Sequence, residues 1–148
     1  MTFVEILINL AVSFVATVGF CIVFNIPKKQ MLFCGLLGVI SWGMYILLKD
    51  PIGPVAATFA AAAVITLLSR GLAVIRKCPV TILLIPGVIP LAPGSAMYHT
   101  AYYFVTSDMP KAGEYCFLTI KLAMAIVLGI LVVIAVPKIR RKTKEIKN

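Results

Sequence analysis

The sequence predicts an all-α polytopic membrane protein of about five transmembrane helices, one of them broken by a Pro-Gly-rich segment. Two observations carry the class. Of 148 residues, 61% are hydrophobic and only 13% charged, with a mean hydropathy of +1.06; a soluble domain has roughly 25% charged residues. The charges that exist sit in short clusters at the ends of apolar runs near the ~20 residues that cross a hydrocarbon core. A third observation predicts the break: residues 78–107 hold no Asp, Glu, Lys or Arg but four prolines.

The first segment, residues 3–24, is interrupted only by Glu5, Asn9 and small hydroxyl residues. Its acidic start and its length argue for a retained helix rather than a signal peptide. Pro27, in the connector 25–30, ends it. Residues 31–48 form a second, uncharged span, with Gly35 and Gly38 as points of close helix approach. Lys49-Asp50-Pro51-Ile52-Gly53-Pro54 reads as a compact turn. The third span, 55–75, carries Ala60-Ala61-Ala62-Ala63 with Ala56, Ala57 and Thr66, a small-residue face suited to packing in lipid.

Segment 78–107 would be about 45 Å long as one helix, and Pro79, Pro86, Pro90 and Pro93 forbid that continuity. Two pieces separated by irregular backbone are expected. A polar stretch, 107–114, leads to the last span at 115–136, which Pro137 closes. Residues 1–137 thus form one transmembrane domain and 138–148 a basic cytoplasmic tail.

The net charge of +9 does not form a stripe with interleaved aromatics, so no nucleic-acid partner is expected. Cys21, Cys34, Cys78 and Cys116 stand singly, without metal or redox spacing; no metal and no cofactor is expected. Five spans with the N-terminus outside put Lys28, Lys29, Arg70, Arg76, Lys77 and the tail on the cytoplasmic side. Only Lys49, Lys111 and Lys121 of the 14 Lys and Arg then fall towards the outside, as the positive-inside rule requires.

The segment with chemical potential is Ile85-Pro86-Gly87-Val88-Ile89-Pro90-Leu91-Ala92-Pro93-Gly94-Ser95. Irregular backbone at membrane depth is tolerated where it is buried in protein or lines a wet cavity, and broken helices form solute sites in many transporters. Pro93 suits the first turn of a helix whose N–H groups would face the kink and favour a carboxylate. Ser95, His99, Tyr102 and Thr106, spaced 4, 3 and 4 apart, share one face of that helix. Blander readings stand beside this. A proline kink also serves as a packing device. A lone membrane histidine such as His99 relays protons or simply bonds a neighbouring helix. Lys121, about one turn inside the last span, snorkels outwards or pairs with substrate. Ser95 with His99 lacks an orienting acid, so no hydrolase, and no enzyme of any kind, is expected.

Residues 85–98, ending in Ala96-Met97-Tyr98, resemble the signature of the threonine/serine exporter family. The likeness covers roughly residues 7–137 and is closest to the small subunit, which corresponds to the C-terminal half of one-chain exporters. By motif, Pro86, Gly87, Pro90, Pro93, Gly94 and Tyr98 carry over; Ser95 and His99 join the expected substrate-binding set on the physical argument alone. The resemblance implies efflux of threonine/serine-type small amino acids, or of a small dicarboxylate such as succinate. It also implies a larger membrane subunit as partner, with a non-transporting assembly role as the alternative. The expected location is the bacterial inner membrane, in contact with lipid, N-terminus outside and C-terminus in the cytoplasm.

Overall fold

A computed structural model describes residues 3–136. Six α-helices and one 3-10 turn follow in order: α1 (Phe3–Val23), α2 (Lys28–Ile52), α3 (Pro54–Arg76), α4 (Val80–Val88), the 3-10 turn (Ile89–Leu91), α5 (Gly94–Val105) and α6 (Met109–Ala135). Helices α1, α2, α3 and α6 are each long and apolar enough to cross a membrane. The α4 and α5 pieces pass the same test as a pair and are bent by 48° at the break between them, which makes four to five membrane-crossing elements. The fold is an all-α polytopic membrane protein, as the composition requires. Pro137 and the tail lie outside the described residues.

Three boundaries differ from expectation, each for a local reason. The expected turn at 49–54 is helical through Ile52. Pro51 removes only one donor, in the last turn, and Gly53 N–H reaches Lys49 O at 3.1 Å. The chain reverses on Gly53 alone, at φ 82° and ψ 163°, a region open essentially to glycine. Pro54 then starts α3 at a position where a helix has no use for its N–H. The helix expected from residue 115 begins at Met109, because Asp108 caps it. The Asp108 carboxylate accepts the Lys111 N–H and pairs with Lys111 Nζ at 2.9 Å, and this hydrogen bonding holds its pKa below the usual carboxylate range. Likewise α2 starts at Lys28, directly after Pro27, rather than at residue 31.

Three helix ends close on a left-handed residue that is not glycine: Asn25, Lys77 and Ser107. In each, the following N–H returns to the carbonyl five residues back, Ile26 to Cys21, Cys78 to Ala73 and Asp108 to Tyr103. This closure caps carbonyls that would otherwise be orphaned.

Packing rests on small residues, as helix association in lipid demands. A methyl group on Gly129 would lie 2.6 Å from Phe59 O, so α6 and α3 touch almost backbone to backbone, over buried Ala61 and Ala62. Gly35 and Gly38 admit Phe14 and Thr17 of α1 in the same way. Ser13 Oγ of α1 and Ser41 Oγ of α2 both donate to Gly38 O, at 3.0 and 2.9 Å. Outward, α1 and α6 present Leu7, Val15, Ile22, Leu131 and Val132, the surface a bilayer covers.

The ends of α1, α3 and α6 and the starts of α2 and α4 gather at one end of the bundle, stitched by arginines. Arg70 donates to Val133 O and Val136 O, capping α6. Arg76 donates to Gln30 Oε1 and Lys29 O and stacks on Phe33.

Candidate functional site

Three prolines in eight residues strand three carbonyls, because each lacks the N–H that would bond four residues back. The fold re-satisfies all three. Ile82 O, orphaned by Pro86, accepts the Cys34 thiol of α2 at 3.4 Å. Pro86 O, orphaned by Pro90, accepts the Ile89 N–H. Ile89 O, orphaned by Pro93, accepts the Ala92 N–H at 3.0 Å. After Pro93 the chain restarts as α5, with Gly94 N–H on Ala92 O and Met97 N–H on Pro93 O. What is left over is small and local. Pro90 O, Leu91 O and the N–H groups of Ser95 and Ala96 have no partner among the described residues.

The irregular backbone borders a hollow of about 180 Å³, lined by Asn9, Val12, Ser13 and Ala16 of α1, Trp42 of α2, and Ile89 with Pro90 at the break. Its polar walls are neutral. Asn9 Nδ2 donates to Glu5 O at 2.8 Å and Ser13 Oγ donates to Gly38 O, so Asn9 Oδ1 and the Ser13 lone pairs remain as acceptors. The Trp42 indole N–H adds a donor.

The expected site residues divide into two groups. Pro86, Gly87 and Pro93 are buried and Pro90 half-buried on the bundle side. Gly87 lets α4 pass close to Leu37 and Ile65, and Pro86 lines a second cavity of about 230 Å³ with Phe24, Ile26, Thr81, Ile82 and Ile85. Gly94 and Ser95 are exposed, and a side chain on Gly94 would meet open space. Tyr98 is 64% exposed. His99 is half-buried against Tyr115, ring centres 4.9 Å apart, with Tyr98 and Tyr103 around it. Among the described residues helix α5 packs chiefly on α6, and Ser95, Tyr98 and Tyr102 are exposed. Pro93 sits one residue before α5 rather than in its first turn.

Lys121 is twelve residues into α6, not one turn. It nevertheless shares a groove with the Gly53–Pro54 turn, because the start of α6 extends past the α2–α3 connection. Among the described residues no three of His, Cys, Asp and Glu come together as a metal site.

Asn9, Ser13 and Trp42 escaped the sequence reading. A signal for the first two existed: Glu5, Asn9, Ser13, Thr17 and Cys21 recur every four residues, one polar line along α1. Of these, Ser13, Thr17 and Cys21 are buried.

No curated protein and no solved structure matches the chain. A family model described as Threonine/Serine exporter, ThrE, matches residues 9–136, a stretch that runs from the first wall residue of the hollow to the end of α6. An all-α membrane bundle with one broken helix pair, bearing the Pro-Gly signature at the break and matched over nearly its whole length, belongs to the threonine/serine exporter family.

Proposed function

We propose that the chain is one half of a secondary exporter of threonine/serine-type small amino acids, completed by a larger membrane subunit and sited in the bacterial inner membrane. The observation that carries this reading is the uncharged hollow beside the broken span, an apolar cleft edged by the polar side chains of Asn9, Ser13 and Trp42. Its size suits a small solute, and Asn9, Ser13 and Trp42 offer acceptors and a donor for a hydroxyl and a zwitterion. Its walls carry no cation, which favours a neutral amino acid over a dicarboxylate such as succinate, since a buried dianion without a partner is costly.

The partner is supported by the face of α5 that carries Ser95, Tyr98 and Tyr102. Hydroxyls turned to lipid gain nothing, whereas a second bundle would bond them. The N-out, C-in orientation is supported by the clustering of Lys28, Lys29, Arg70 and Arg76 at one end. In this reading the two halves rock about the break, driven by the proton gradient, and the chain performs no covalent chemistry.

The test is threonine efflux from an exporter-deficient host that expresses the chain with and without the larger membrane protein encoded beside it. Efflux is expected only with both. Asn9→Leu should lower it about tenfold, the worth of one hydrogen bond to a charged group, at unchanged membrane abundance. Wild-type threonine efflux from Asn9→Leu contradicts the site. A change in complex abundance alone would assign the chain to assembly.

A further inference from the structure

One groove takes no part in the reading above. It holds about 690 Å³ between α3 and α6. One end is the Gly53–Pro54 turn, and from there it runs along Ala56 and Phe59 of α3 and Met124 and Leu128 of α6. Every lining residue but one is uncharged. The exception is Lys121, at the end nearest the turn.

Lys121 makes no hydrogen bond or ion pair among the described residues. Glu114, two turns earlier, lines an adjoining, more enclosed pocket with it but forms no ion pair with it. An ammonium on the flank of a membrane helix is expensive unless it meets water or a counter-charge. Its level is informative. Sharing the groove with the Gly53–Pro54 turn puts it level with the end of α2 and the start of α3. From Lys121 to Leu128 the groove descends about 10 Å towards the bundle centre, wholly apolar. A cation at the rim with an apolar furrow leading inward matches the polarity of a phospholipid, head to tail.

We propose that this groove binds an anionic phospholipid, with the headgroup phosphate on Lys121 and an acyl chain laid along Ala56, Phe59, Met124 and Leu128. The site stands apart from the hollow and does not depend on the transport reading.

Native mass spectrometry of the purified full chain tests it, comparing phosphatidylglycerol with phosphatidylcholine of the same acyl chains. The wild type should retain phosphatidylglycerol in preference. Lys121→Gln should bind it about fivefold more weakly, the effect of one basic residue at a membrane surface, while Lys121→Arg keeps the preference. Ala56 is exposed, so Ala56→Trp should leave the fold intact, fill the furrow and reduce both lipids. An unchanged preference in Lys121→Gln, or none in the wild type, overturns the proposal and leaves the ammonium to a protein partner. Displacement of phosphatidylglycerol by millimolar succinate also overturns it, assigning the groove to a solute.

Discussion

Cys34 shows how a residue with no visible chemistry supports the broken span. Its thiol is fully buried in α2 and points at Ile82 O, the carbonyl that Pro86 deprives of a donor. An unbonded carbonyl in a bilayer costs several kcal/mol, and a thiol, though a weak donor, offsets part of that. Cys34→Val removes the donor and adds a little bulk at a buried site; it should lower stability by at least ~1 kcal/mol, read as detergent or thermal unfolding. Cys34→Ser restores a donor and should stay near the wild type. Equal stability of the valine and serine variants would show that the contact carries no energy. In the sequence Cys34 reads as an inert, lipid-buried thiol. The bond joins residues 48 apart, and no spacing rule connects them. Asn9 and Ser13 were more legible, because a four-residue polar recurrence is visible in the chain, although which neighbour it faces is not.

At the scale of the helix, the spans followed from apolar length and the break from proline count, while the ends did not follow from either. Helix ends are usually read from Gly and Pro, and here Asn25, Lys77 and Ser107 take the left-handed position instead. Their closing hydrogen bonds depend on the residue five back, which composition does not mark. Glycine misleads in the other direction too: Gly94 belongs to the family signature, yet a side chain there meets open space, whereas Gly129, unremarkable in sequence, lies against Phe59 O. Gly129→Ala should therefore force α6 from α3 and cost about 1–3 kcal/mol, the usual range for overpacking. Gly113→Ala, in the same helix with open space beside it, is the matched control and should unfold like the wild type. Equal unfolding midpoints for the two variants would show that the α3–α6 contact is looser than its geometry.

For the whole molecule, the all-α membrane plan with one broken segment was legible because the bilayer imposes it: long apolar runs must be helices, and prolines must interrupt them. The placement of the candidate residues around the break was only half legible. Pro86, Gly87, Pro90 and Pro93 do lie at the break, but Ser95, Tyr98 and His99 ride on α5 away from the hollow, since the 48° bend carries that helix onto α6. A single-chain pattern fixes which face of α5 they share, not which way the face turns. The architecture that results has an α1–α2 wall opposite the break and an exposed α5 flank. Its central physical claim is that regular helix stops between Ile89 and Gly94 and leaves main chain unbonded within the span. Amide hydrogen–deuterium exchange of the chain in lipid nanodiscs tests this most directly: Ser95 and Ala96 should exchange rapidly, while Leu83 and Leu84 of α4 and the residues around Ala125 of α6 stay protected. Uniform protection from Val80 through Val105 would mean an unbroken helix and would contradict the account.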